Sequence, residues 1–313
     1  MWTYVARRVL ATIPVLAIVA LVVFLILHIA PGDPAAVIAG DQATPEQIAS
    51  IRAKLRLDQP LIEQFRLWVV NVLHGDLGTS IFSNRPVAAL FVQRLEPTIA
   101  LAVMTTLIAV VLAVPIGVLA AWKAGSGVDR GVMSIAVIGF AFPVFVVGYI
   151  LIYFFGLKLR LLPIQGYRPV ADGIWPFLQH LILPSFALGL GFMALIARIT
   201  RASVLEVLSQ DHIRTARAKG LSARRLLFDH ALPNAAVPIV TIIGVGVALL
   251  LGGVVVTESV FAIPGVGRLV VDAILSRDYP VIQGVLLIFS GVYVLVNLLI
   301  DLAYVLIDPR IRY

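Results

Sequence analysis

Apolar residues in this chain do not alternate with polar ones; they run in long unbroken blocks. Six blocks reach the roughly 20 residues that a helix needs to cross a bilayer. They lie near 9–30, 98–122, 131–157, 178–197, 235–257 and 281–307. A lone span in lipid satisfies its backbone hydrogen bonds only as a helix, so each block predicts one. The pattern predicts an all-α membrane protein with six transmembrane helices. Its parts are an N-terminal helix (1–30), a helical cap (31–97) and a transmembrane core (98–308) that carries a polar loop at 198–234.

The two polar excursions have patterns of their own. The first opens with the turn Pro31-Gly32-Asp33-Pro34. Thr44 reads as an N-cap, with Pro45 at the first helical position and Gln47 three residues after the cap. Leu61, Ile62, Phe65, Trp68, Val69 and Val72 then mark an amphipathic helix. This cap suits an interfacial lid on the spans and a partner-docking surface equally well. In the second excursion, Ile213 and Ala216, then Leu226 and Leu227, mark short helices. Gly220 followed by Leu221-Ser222 reads as a helix stop and a new N-cap.

Composition changes the picture in one respect. The chain is 60% hydrophobic and 13% charged, which describes a surface that is apolar as well as a core. The formal net charge of +7 is explained by placement. With the N-terminus inside, the inside segments carry 13 Lys and Arg. The outside segments carry 5 once the long 31–97 loop is set aside, as loops of that length cross regardless of charge. Both termini are therefore expected in the cytoplasm. No basic stripe with groove-reading or base-stacking elements suggests nucleic acid. The apolar run after Arg7 and Arg8 exceeds a signal peptide and predicts a retained first helix.

Candidate chemistry is sparse. The chain has no cysteine, no Gly-x-x-x-x-Gly-Lys-Ser/Thr loop, no His-Glu-x-x-His and no Gly-x-Ser-x-Gly. The five histidines show no ligand spacing, and no metal site is expected. Gly125-Ser126-Gly127 has the composition of a phosphate loop but no preceding strand, so it reads as a tight turn. Asp301 is the one carboxylate well inside a span, with Asn297 one turn earlier. It serves either as an anchor, pairing with Arg198 or Arg201, or as part of a transport path. Small residues at Thr105, Ala109, Ala113, Gly117 and Ala121, and at Gly244, Ala248 and Gly252, form rows suited to close helix packing. Pro115 and Pro143 are expected to kink their spans.

The 198–234 loop is the most informative stretch. Its core is Arg214-Thr215-Ala216-Arg217-Ala218-Lys219-Gly220, and nine residues separate Gly220 from His230-Ala231-Leu232-Pro233 by its start. Ala216 and Gly220 stand one turn apart, as a bare patch rimmed by Arg217 and Lys219. Such a helix fits a groove in a soluble partner; a loop that only satisfies topology is the alternative.

This loop resembles the EAA coupling loop of ABC-importer permeases, which is Glu-Ala-Ala, three residues, Gly, nine residues and Ile-x-Leu-Pro. Ala216, Gly220, Leu232 and Pro233 match. Arg214, Thr215 and His230 depart from it in the manner of the peptide-importer branch. Pro31-Gly32-Asp33-Pro34, Gly75-Asp76-Leu77-Gly78 through Arg85-Pro86-Val87, Glu258-Ser259-Val260-Phe261, Pro264-Gly265-Val266-Gly267 and Asp308-Pro309-Arg310-Ile311-Arg312 resemble the same branch. In order, they are similar to the B-type permease of dipeptide, oligopeptide or glutathione importers, with nickel importers as near relatives.

The resemblance implies a type I importer permease fold in a bacterial inner membrane and a non-catalytic subunit. It implies a second related permease, two cytoplasmic ATPases that hold ATP and Mg2+, an external binding protein and a peptide substrate. The residues it assigns to coupling are Arg214, Thr215, Ala216, Arg217, Lys219, Gly220, His230, Leu232 and Pro233. No cofactor is expected in this chain. The rival reading from the residues alone is an ATPase-independent secondary transporter or channel with Asp301 in the ion path.

Overall fold

The computed structural model describes the backbone of residues 2–29, 33–40, 43–54 and 57–307. Side chains at 2–6, 34, 37, 38, 54, 251 and 299–307 are not described. The Pro31-Gly32 and 308–312 motifs therefore lie outside the described residues, as does the side chain of Asp301. The described chain is helical, with one isolated bridge between Thr79 and Pro86.

The elements are α1 (Trp2–Ile29), α2 (Pro34–Ala39), α3 (Pro45–Lys54), α4 (Leu61–Leu73), α5 (Val87–Trp122), α6 (Gly127–Ala141) and α7 (Val144–Leu151). A π-turn (Ile152–Lys158) and a 3-10 turn (Val170–Asp172) lead to α8 (Ile174–Leu208) and α9 (Asp211–Ala218). Next come α10 (Ala223–Arg225), a π-turn (Leu226–Ala231) and α11 (Leu232–Asn234). The chain closes with α12 (Ala236–Val260), α13 (Val266–Ser276) and α14 (Tyr279–Ile307). Four helices are long and apolar enough to span, over Arg7–Ile29, Val87–Trp122, Ile174–Leu208 and Tyr279–Leu298. Two bent pairs raise this to six if each is one span.

The first bent pair, α6 and α7 with its π-turn, turns by 104°. Its cause is local. Pro143 disfavours a helical residue before it, and Phe142 is extended, with φ −80 and ψ 131. The 131–157 run is thus two helical pieces rather than one rod. By contrast, α5 runs on through Pro97 and Pro115.

The chain divides into two compact units, residues 1–96 with 265–299, and residues 97–264. In the second unit α8 is the central helix. Its apolar window is 67% buried, against 28% or less in the other three long spans. It packs on α6, α7 and α12. The predicted small-residue row of α5 is buried at Thr105, Ala109, Ala113 and Ala121. A Cβ on Gly117 would stand 2.6 Å from the Ala197 carbonyl oxygen of α8, so the backbones meet there. The row on α12 is met at Ala248, which is buried, but not at Gly252. Gly252 faces open space, while Gly246 takes the Phe192 ring and Gly253 takes Leu188. Steps of four residues drift about 40° per step on a 3.6-residue helix. The buried stripe instead follows Gly246, Leu250, Val254 and Thr257, in mixed steps of three and four.

At the start of α6, Ser126 caps the helix by accepting from Asp129 N, and Asp129 Oδ2 accepts from Gly125 N at 2.9 Å. The amide that a phosphate loop would offer is thereby occupied, and Gly125 takes φ +78 in a tight turn. Asp129 also accepts two bonds from the Arg201 guanidinium, at 2.5 and 2.7 Å. Arg201 is thus engaged by Asp129. The bidentate geometry clamps the start of α6 to α8. Asp129→Asn is expected to lower the thermal midpoint of purified protein, because it leaves a half-buried guanidinium facing a neutral amide. Adding Arg201→Gln should restore part of the loss. A double mutant worse than the sum of the two singles would contradict this account.

In the first unit, Thr44 and Gln47 form the expected capping box, with bonds of 2.9 and 3.3 Å. Asp33 caps α2 and pairs with Arg52. Phe65 and Trp68 of α4 pack on Phe24 of α1, at ring-centroid distances of 5.2 and 5.8 Å. Buried Asp278 accepts from Ser80 Oγ at 2.5 Å and Ile81 N at 3.3 Å, which ties the 76–87 turn to the start of α14. Val87, Val266, Leu269, Val281 and Val285 form the apolar cluster beside it.

Candidate functional site

The sequence points to the segment after α8, and its geometry starts from one residue. Asp211 and Arg214 stand in the exposed first turn of α9, while Ile213 between them is 1% exposed. Ile213 enters a cluster made by Val118 and Ala121 of α5, Val204 and Val207 of α8, Leu226, Leu227 and Ala231 of the π-turn, and Ile239 of α12. One short helix is thereby fixed to the ends of three long ones. Burying such a side chain contributes on the order of 1.5–3 kcal/mol.

The end of α9 is defined as closely. Gly220 has φ +81, a region that L side chains rarely adopt. Leu221 N donates to Ala216 O at 3.3 Å and Gly220 N to Arg217 O at 3.0 Å. These are the two bonds of a Schellman stop. Ser222 then takes the N-cap position of α10, with extended backbone but no side-chain bond.

The outer face of α9 is polar and basic. Arg214, Thr215, Arg217, Ala218 and Lys219 are exposed, as is Gly220 beyond the helix. Arg214, in the place of the motif's Glu, pairs with Asp211 at 3.0 Å, and Thr215 Oγ1 donates to the Asp211 carbonyl. Ala216 corrects the expectation of a bare outer patch. It is half-buried and packs on the same cluster as Ile213, because three residues put both on one face. Leu232 joins that cluster too. Pro233 is exposed, and half-buried His230 accepts from Asn234 Nδ2 at 2.6 Å through its carbonyl.

Beside α9, a recess walled by Ser222, Arg224, Arg225, Phe228 and Asp229 adds a second exposed feature, with Phe228 54% exposed. Sequence reading missed it. The π-turn over Leu226–Ala231 shifts the register so that Leu227 is buried while Phe228 is exposed. No residue pattern announces that extra residue.

Asn297 donates to Tyr293 O of its own helix at 2.9 Å, so its amide is partly spent locally. Among the described residues no group of three His, Cys, Asp or Glu is arranged to hold a metal ion.

Residues 113–313 match the family described as binding-protein-dependent transport system inner membrane component. Residues 1–102 match the N-terminal component of the same system. The chain belongs to this permease family. It is 56% identical, over the full length of both chains, to a probable peptide ABC transporter permease protein of Sinorhizobium fredii. It is 46% identical to the glutathione transport system permease protein GsiC of Escherichia coli, again over the full length of both. Among solved structures, the MetNI methionine ABC transporter in inward-facing conformations matches with a TM-score of 0.59 at 19% identity. That match covers 71% of this chain and 97% of the other. It shows the fold, that of a type I ABC importer permease. A permease of this family is a membrane-spanning transport subunit.

Proposed function

We propose that this chain is one permease subunit of an ATP-driven importer of peptides. Partner ATPases power it and an external binding protein supplies it. The observation that carries the reading is α9: an exposed basic helix anchored by Ile213 to the ends of α5, α8 and α12. A push on a helix so anchored moves three spans together, which is what rigid-body alternation of a pathway needs. The basic excess around α9 supports a cytoplasmic location for that face and for both termini. The fully matched relatives named for peptide and glutathione transport favour a peptide substrate. A second permease of the same kind completes the pathway, and ATP with Mg2+ belongs to the ATPases.

Reconstitution tests this. With the second permease, the ATPases and the binding protein in proteoliposomes, labelled peptide is expected to accumulate only when ATP is supplied on the α9 side. The chain alone is expected to give no flux under an ion gradient. Ion-driven peptide flux by the chain alone would sink the importer reading and return Asp301 to the centre of the problem.

A further inference from the structure

A cavity of about 300 Å³ lies within the first unit, lined by Phe24 of α1, Trp68 of α4 and Tyr279 and Gln283 of α14. Exposed Asn71 and Asp76 stand at its rim. The volume is at the small end of ligand sites, enough for one or two amino-acid residues.

The lining carries one carboxylate, from Asp76, together with neutral amide, hydroxyl and indole groups. Gln283 is 6% exposed, and its Nε2 is committed to the carbonyls of Val23 and Phe24 at 3.3 and 3.2 Å. Its Oε1 is the part left for the cavity. Asp76 uses Oδ1 to accept from Gly78 N at 2.9 Å, which leaves Oδ2. Tyr279 is 7% exposed, and its hydroxyl can accept as well as donate. No Lys, Arg or His lines the space. Phe24 and Trp68, with ring centroids 5.8 Å apart, supply aromatic surface.

One carboxylate, several oxygen acceptors and aromatic surface, with no cationic donor, disfavour a carboxylate or phosphate group. They match an ammonium, which carries three donors and a charge that aromatic faces attract. We propose that this cavity binds the ammonium end of a short peptide, at a site separate from the α9 segment. The proposal rests on the importer reading for its ligand class. On the orientation given above the cavity lies on the external side, where such a site would hold peptide before it enters the pathway.

The test uses the assembled transporter in nanodiscs without the binding protein. Dialanine, N-acetyl-dialanine and Nα-acetyl-lysine amide are compared by ligand-observed NMR titration. Dialanine is expected to bind, with the N-acetylated form about tenfold or more weaker, since it lacks the charged donor. Asp76→Asn keeps an oxygen for Gly78 N but removes the charge, and should weaken dialanine by a similar factor, about tenfold. Trp68→Leu should weaken it less. Equal binding of both dipeptides, or no change in Asp76→Asn, overturns the site. Preference for the lysine amide over dialanine also overturns it, and assigns the cavity to a lysine side chain of a docked protein. ATP-driven uptake by the same subunits, reconstituted in proteoliposomes with the binding protein, separates the two readings. Uptake without cavity binding sinks only this site, whereas binding without any uptake by the complete wild-type system sinks the importer reading.

Discussion

Gly220→Val is expected to cut ATP-driven peptide uptake at least about tenfold while the subunit still inserts and assembles. Space is not the reason, since no heavy atom lies within 4 Å of an added Cβ. The backbone is. At φ +81 an L residue is strained by roughly 1–2 kcal/mol, and a β-branched one by more. That is small beside the stability of the whole bundle but large for the two-bond stop that ends α9. The segment escapes by turning into another conformation, which changes how α9 presents Arg217 and Lys219. Gly220→Ala should be intermediate. Gly220→Asn should stay near wild type, because asparagine tolerates the left-handed region. Uptake and ATPase rates measured together in proteoliposomes decide the matter. A valine variant with normal uptake would remove Gly220 from the coupling account, and an asparagine variant as poor as valine would show that backbone strain is not the cause.

The second large effect concerns folding. Gly117→Val drives a side chain into the Ala197 carbonyl oxygen and Thr200 Cβ, at 2.6 and 2.7 Å. Backbone has no rotamer with which to retreat, so α5 and α8 must separate by most of an ångström along a buried seam. Overpacking typically costs about 1–3 kcal/mol, and obstruction by a main chain puts this case at the top of that range or above it. The expected result is loss of the monodisperse peak in detergent, or a fall of many degrees in the thermal midpoint. Gly252→Val is the matched control. It adds the same atoms where nothing lies within 4 Å, and should leave the midpoint nearly unchanged. Equal damage at the two positions would mean that glycine itself, and not the seam, is what α5 needs.

Much of this is legible in the sequence. Apolar length locates the long spans, because a bilayer imposes it, but not the 104° break at Pro143. Thr44 and Gly220 mark helix ends through local chemistry that does not depend on the rest of the fold. What was not legible depends on rotation about a helix axis. The α5 row lies where a step of four predicts it, yet on α12 Ala248 is buried as predicted while Gly252 faces open space and Gly246 and Gly253 meet α8. Ala216 looked like an outer patch until Ile213 fixed which side of α9 faces in. The π-turn after Arg225 inserts one residue into the register and so exposes Phe228, which no pattern in the sequence foretells. Asp129 and Arg201 are 72 residues apart in the chain, and pairing at that range is a property of the packed bundle.

Ile213 is the only fully buried side chain of α9. Nearly every other position of that helix is therefore open to replacement without disturbing the bundle behind it. On the proposed coupling role, fitting the subunit to a different motor becomes a question of surface lettering, to be rewritten at Arg214, Thr215, Arg217, Ala218 and Lys219. The fold and the choice of engine can then be engineered as separate parts.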